Sequence, residues 1–303
     1  MTTKTRPAAT EHADPTAPPP IRATVYAGRW PDIPTIAAPG PRGKFSPTTS
    51  TIISGATEAI LIDAQYLKAD VRDLGDLIER IGKKLTTIYI THAHADHYLG
   101  LGPLLQRFPE ARCVALPSVV EAMRQTMEQQ DLRWEMLFGD TTVRGGPLPE
   151  PIQGDTLYVD GSPLHIIEVK QADINPTSIV HVPAIDVVVA GDAIYNEIHA
   201  MLGLSAPDQW QEWLGTVDVV ESLRPRMIVA GHRRPDGDDY AVNSMIAQTR
   251  SYIRDFAAAF EVAETADDLI SAMTTKYPYH GNLWTLQFSA SSVIDHRNAA
   301  VRR

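Results

Sequence analysis

One run of seven residues constrains this chain more than any other feature: Thr91-His92-Ala93-His94-Ala95-Asp96-His97. Three imidazoles and a carboxylate fall together directly after Thr87–Ile90, which reads as a strand. Neutral imidazole and carboxylate are borderline donors that suit zinc, iron or manganese. Burying an aspartate among three histidines is costly unless it is paired or holds a cation. The fold is therefore expected to present the end of this strand at a metal site.

Two later features match the first. Gly191-Asp192 closes an expected strand over Val187–Ala190, and Gly231-His232 closes another over Met227–Ala230. Each sets a ligand-type side chain at a strand end, after a glycine that relaxes the backbone.

Composition removes other classes. The chain has 303 residues, a formal net charge of -10 and one cysteine, Cys113. An acidic balance disfavours nucleic acid and anionic membranes as partners. A lone cysteine, in a short apolar stretch, excludes an internal disulfide framework and a cysteine-cluster metal site. No apolar run reaches the length of a membrane span, and the N-terminus lacks a signal pattern, so a cytoplasmic setting is expected. Gly-x-Ser-x-Gly, Gly-x-Gly-x-x-Gly and the P-loop signature are all absent.

Three regions are expected: a disordered Pro-rich tail over 1–20, a strand-rich body over 21–240, and a helical extension over 241–303 packed on it. Thr51–Ser54 and Ala59–Asp63 read as a hairpin about Gly55. Val71, Leu74, Ile78 and Ile81 recur at helical spacing. Pro117 is placed to open a helix reaching about Gln130. Strands follow over 156–159, 164–169, 178–182 and 187–190, then a helix over 208–223. In the extension, Val242 to Phe260 mark a long helix. Thr265 and Asp268 suggest a capping box before Asp267–Met273. Tyr277–Leu286 reads as aromatic and irregular. Strands in both halves with helices between and after them suggest two packed sheets with helices outside.

The run His-x-His-x-Asp-His, then Gly-Asp, then Gly-His, in this order, resembles the metallo-beta-lactamase-fold superfamily of hydrolases. The resemblance covers about Thr48 to Arg234. It implies an α/β fold, a four-layered αββα sandwich with metals at one edge of the two sheets. Residue by residue, it implies that His92 and His94 bind a first metal, Asp96 and His97 a second, that Asp192 bridges the two, and that His232 completes the second. The family has a further histidine between the first motif and the bridging aspartate. Counting back from the strand over 178–182, that place falls in Val169-Lys170-Gln171-Ala172-Asp173, with Gln171 standing for the histidine. A Gln carbonyl oxygen is a weaker donor than imidazole, so one or two ions are both open. Zinc is the expected ion, with manganese and ferrous iron as alternatives.

The resemblance further implies a metal-dependent hydrolase. A hydroxide generated at the metal attacks the carbonyl of a small ester, lactone or amide. Asp96 would accept or shuttle a proton, and Tyr195 would stabilise the oxyanion. Asp63 would orient a ligating imidazole. His199 and Arg233 and Arg234 are candidates for the pocket. His165 and His181 read as sheet residues. The apolar residues Trp134, Met136, Leu137, Phe138, Trp210, Trp213, Leu283 and Trp284 divide between pocket wall and core. The alternatives are an iron-dependent oxidoreductase of the same fold and a catalytically silent binding protein. A small molecule is the expected partner, and a homodimer through the C-terminal helices is one arrangement.

Overall fold

The computed structural model describes residues 21–33 and 44–302. The expected tail over 1–20 lies outside them. The first sheet orders β1 (Arg22–Ala27), β2 (Thr49–Ser54), β3 (Glu58–Ile62), β4 (Lys84–Ile90), β5 (Arg112–Ala115) and β6 (Glu150–Pro151) side by side. β2 and β3 form the expected hairpin, whereas β3, β4, β5 and β6 pair in parallel. Parallel neighbours need crossovers. Here these are α1 (Lys68–Ile81), then α2 (Ala95–Tyr98) with α3 (Leu101–Arg107), then α4 (Pro117–Phe138). Val71, Leu74 and Ile78 turn one face of α1 to the core, and Gly82 ends the helix in the left-handed region.

The second sheet orders β11 (Met227–Arg233), β10 (Val187–Asn196), β9 (Thr177–Val182), β8 (Ser162–Val169) and β7 (Thr156–Val159). β10 and β11 are parallel, linked by α5 (Pro207–Ser222). Strand alternation divides the core in two. Val187, Val189 and Val229 join the core shared with the first sheet and α1. Val188, Ala190, Ile228 and Ala230 face α5 and the C-terminal helices α6 (Val242–Val262), α7 (Ala266–Lys276) and α8 (Leu283–Val301). Two sheets packed face to face with helices outside give the expected αββα sandwich. No helix among the described residues is long and apolar enough to cross a membrane.

Three stretches differ from the sequence reading. α4 runs on to Phe138, so Trp134, Leu137 and Phe138 lie on a helix and not between elements. α8 takes the last four residues of the stretch read as irregular and runs on from there. Asn282 caps it, its side chain accepting from the Thr285 amide. The helix has core neighbours on several sides: Leu286, Ala290 and Val293 enter the second core while Trp284 packs on the first. Such a helix carries little amphipathic signal. β1 was also missed. It is a half-buried edge strand, and Arg29 just beyond it is tied to the buried Asp70 of α1.

Candidate metal centre

The parallel pairs β3–β4 and β10–β11 bring four strand ends to one edge of the sandwich. Asp63 follows β3, the His92 to His97 run follows β4, and His232 is next to last in β11, whereas β10 runs past the expected end at Ala190 to Asn196 and carries Asp192 in its middle. The pairing of β10 with β11 slips between Val189 and Tyr195. That bulge turns Asp192 inward. Gly191 takes a positive φ of 48° there, and a Cβ on Gly231 would lie 2.1 Å from Asp192 Oδ1. The two glycines thus have different reasons, one conformational and one of close approach.

Two groups of donors result. His92, His94, Asp173 and Asp192 offer atoms within 4.8 Å of one another, and Asp96, His97 and His232 form the second group. Asp192 lies between them: Oδ1 is 3.2 Å from His97 Nε2, and Oδ2 is 3.3 Å from His232 Nε2 and 3.9 Å from His92 Nε2. Metal–ligand bonds of about 2.0–2.1 Å in a tetrahedral site place donor atoms roughly 3.3 Å apart. The buried His92 Nε2, His97 Nε2 and Asp192 Oδ1 make no well-directed hydrogen bond among the described residues, and Asp173 Oδ2 faces His94 Nδ1 alone. Orphaned lone pairs at this depth are costly, and a cation would use all four. The residues present therefore fit a divalent ion in each group.

Gln171, the ligand expected from the sequence, is turned to other partners. Its Nε2 donates to the Ala172 carbonyl at 3.0 Å, and its Oε1 accepts from Gln209 Nε2 at 3.3 Å. Both ends of the amide are used within the protein. Asp173, two residues on, takes the position instead. Its Oδ2 lies 2.7 Å from His94 Nδ1, and its Oδ1 accepts from the Ile174 amide. Burial raises the Asp173 pKa, with Asp192 adding to the rise and His94 opposing it.

The second group is held from behind. His97 Nδ1 donates to Asp63 Oδ2 at 2.8 Å, which leaves Nε2 with its lone pair toward Asp192. Asp63, at a φ of 61°, also accepts from the amide and hydroxyl of Thr91. His232 Nδ1 contacts Ser46 Oγ at 2.9 Å and the Pro47 carbonyl at 3.2 Å. A carbonyl only accepts, so Nδ1 carries the proton and Nε2 faces the site. Asn282 at the start of α8 donates to the same Ser46 hydroxyl, tying the C-terminal helix to the site. Burial opposes protonation of His232, but Asp192 and Asp96 push its pKa up to about 10. His97 is likewise raised, with burial opposed by Asp96 and Asp192. Asp63→Asn should lower metal affinity by roughly 10–100-fold, because it removes the carboxylate that fixes the His97 tautomer. Competition against a chromogenic chelator would measure this, and an affinity within twofold of wild type would refute the orienting role.

Asp96 Oδ2 accepts from Thr48 Oγ1 at 2.8 Å and lies 3.2 Å from His232 Nε2. The Tyr195 hydroxyl donates to Asp192 Oδ2 at 2.9 Å, and its ring stacks on His232. Both open on a cavity of about 320 Å³ above the donors. Phe45, Trp134, Leu137 and Trp284 supply its apolar wall. Other candidates fall elsewhere. His199 bonds Tyr252 beside a separate cavity, and His165 pairs with His181 across β8 and β9. Arg233 is buried against Asp239 and loop carbonyls. Arg234 reaches Asp236 and Glu197, not the cavity. Trp210 and Trp213 are core, bonded to the Leu202 and Ala193 carbonyls, and Met136 is exposed. The Cys113 thiol is buried and pushed up to about 12 by that burial.

Comparison with known proteins agrees with this architecture. The chain is similar to a metallo-beta-lactamase family protein of Thermus thermophilus, TTHA1429. That likeness has a TM-score of 0.61 at 17% identity and covers 91% of this chain and 94% of that one. A metallo-beta-lactamase from Pontibacter korlensis gives a TM-score of 0.55 at 16% identity, covering 78% of this chain and 95% of that one. In sequence, the uncharacterized protein YobT of Bacillus subtilis (strain 168) is 31% identical over 120 residues, 40% of this chain and 42% of that protein. The match thus spans less than half of that relative's length. Residues 43–232 match the family model described as the metallo-beta-lactamase superfamily. With the sandwich, the strand-end donors and this match in agreement, the chain belongs to the metallo-beta-lactamase superfamily.

Proposed function

We propose that the protein is a metal-dependent hydrolase acting on the carbonyl of a small ester, lactone or amide. The observation that carries this reading is the set of buried, unpartnered donor atoms at the floor of a largely apolar cavity. One or two divalent ions would be held by His92, His94, Asp173 and Asp192, and by Asp96, His97, His232 and the shared Asp192. A divalent ion supplies a nucleophile at neutral pH and polarises a carbonyl oxygen.

The chain's own groups do the rest. Asp96 reaches the cavity with one oxygen held by Thr48, so its carboxylate is placed to take and pass a proton. Tyr195 keeps its proton at any ordinary pH, since burial and Asp192 raise its pKa. Its hydroxyl is therefore a donor, either to Asp192 as observed or to charge developing on a substrate oxygen. The aromatic wall excludes water and favours an apolar substrate body.

Zinc suits the second group. In the first group, two carboxylates beside two imidazoles shift the preference toward manganese or ferrous iron. Elemental analysis of protein purified without added metal, with ester and lactone hydrolysis on the same sample, tests the reading. Two equivalents and chelator-sensitive turnover are expected. Near-zero metal that cannot be restored, with no turnover, would overturn it. Iron alone without hydrolysis would favour the oxidoreductase alternative.

A further inference from the structure

One cation faces the cavity. Ala122, Thr126, Gln130, Arg133, Trp134 and Leu137 recur on one side of α4, and that side forms a wall of the cavity. Arg133 is the only lysine or arginine among the described residues that line it. Its guanidinium lies 4.9 Å from the centroid of the Phe288 ring on α8. Phe288 in turn stacks on Trp284 of the cavity wall. This places the guanidinium on an aromatic shelf between two helices.

No carboxylate partner and no hydrogen-bond acceptor for Arg133 occurs among the described residues. The acids nearby do not pair with it: Glu135 pairs with Arg144, and Asp131 makes no ion pair with Arg133 among the described residues, its own Oδ1 being unpartnered. Half-burial also disfavours the charged form of Arg133. A guanidinium presents five donors in a fixed fork, and half-burial leaves those that face the cavity without a protein acceptor. Two other inward-turned arginines do have acceptors: Arg233 bonds three carbonyls and lies 3.3 Å from Asp239, and Arg297 bonds two carbonyls.

We propose that Arg133 receives a carboxylate of the substrate, so that the preferred substrate is an apolar acyl compound bearing a carboxylate remote from the scissile carbonyl. The inference rests on the hydrolase reading for the second half of that statement only. A carboxylate fits better than a phosphate. A single guanidinium matches one monoanionic carboxylate with two parallel hydrogen bonds. A dianionic phosphate would meet only this one cation, above a floor that already holds Asp96, Asp173 and Asp192.

The test has two arms on metal-loaded protein. The first compares mono(para-nitrophenyl) glutarate with para-nitrophenyl pentanoate, which differ chiefly in a terminal carboxylate for a methyl. Wild type should show a KM about tenfold lower for the glutarate, as expected for a charge-assisted bidentate pair. Arg133→Met should bring the ratio of KM values close to one, and Arg133→Lys should keep part of it. The second arm needs no turnover: quenching of tryptophan fluorescence by hydrocinnamate, by its neutral amide and by the matching phosphonate. Arg133→Met should cut the preference for hydrocinnamate over the amide about tenfold. An unchanged preference would mean that the metal centre binds the carboxylate and would overturn the assignment. A phosphonate bound more tightly than the carboxylate would overturn it too. Absence of ester turnover with an Arg133-dependent binding preference would remove the hydrolase reading and leave the carboxylate subsite standing. Unchanged far-ultraviolet dichroism of both variants separates these outcomes from misfolding.

Discussion

Asp192→Ala is expected to reduce bound metal below one equivalent per chain and turnover by roughly 1000-fold or more, about 4 kcal/mol of barrier. Asp192 belongs to the first donor group and also reaches two members of the second. Its two oxygens lie 3.2 Å from His97 Nε2, 3.3 Å from His232 Nε2 and 3.9 Å from His92 Nε2. Removing it takes a carboxylate from both sites at once. The Tyr195 hydroxyl loses its acceptor in the same step. The charge balance also shifts: the imidazoles of His97 and His232 hold Asp192 well below the usual carboxylate range, against its burial. Asp192→Asn separates shape from charge. Its amide oxygen can still accept from Tyr195, but the anion that both ions would share is gone. The asparagine variant should therefore retain the fold and still lose metal. Elemental analysis after gel filtration, with turnover measured at saturating added zinc, gives both readouts. Two equivalents and more than a tenth of wild-type turnover in either variant would show that Asp192 is not shared.

What the sequence discloses here follows how local each determinant is. His92, His94, Asp96 and His97 sit within one short run at the end of β4, so their spacing alone brings them together. Asp192 and His232 are legible because each follows an apolar run and a glycine, and the parallel pairing of β10 with β11 then brings the two side chains together, although β10 runs on past Asp192. Asp63 is legible as the polar residue that ends the apolar strand β3. The sandwich follows from strands whose alternate residues must enter two different cores, as Val187 to Ala190 do. Determinants that depend on distant packing were not legible. α8 lacks a clear apolar stripe because two cores and a cavity surround it. Its cap, Asn282, reaches the site only through Ser46, far away in sequence. Trp134 and Phe138 gained meaning only once α4 was seen to run on beneath Phe45 and Tyr66. Arg133 carries no signal by itself, since a helix arginine is ordinarily solvated. Its significance comes from what fails to face it.

Asp173 is the sharpest case of this kind, and it yields the second large effect. Counting back from β9 puts Gln171 where the family has a histidine, yet the loop between Val169 and Thr177 decides which side chain arrives. That loop turns the Gln171 amide toward Ala172 and Gln209, and turns the Asp173 carboxylate toward His94. Chemistry agrees with this geometry. A carboxylate is the stronger donor, and the buried Asp173 has the His94 ring and the Ile174 amide to offset part of its desolvation, with a cation offsetting more. The two residues should therefore respond oppositely. Asp173→Ala should leave one equivalent of metal, held by Asp96, His97, His232 and Asp192, and lower turnover by roughly 100-fold. Asp173→His should keep two equivalents and move the preference toward zinc, since imidazole replaces a harder oxygen donor. Gln171→Ala should keep two equivalents and near-normal metal affinity, at a stability cost of about 1 kcal/mol for its lost hydrogen bonds. Metal stoichiometry on the three variants decides between the two positions whatever the substrate turns out to be. Loss of an equivalent in Gln171→Ala, with none lost in Asp173→Ala, would restore Gln171 as the ligand and make the carboxylate beside His94 a partner for its proton alone.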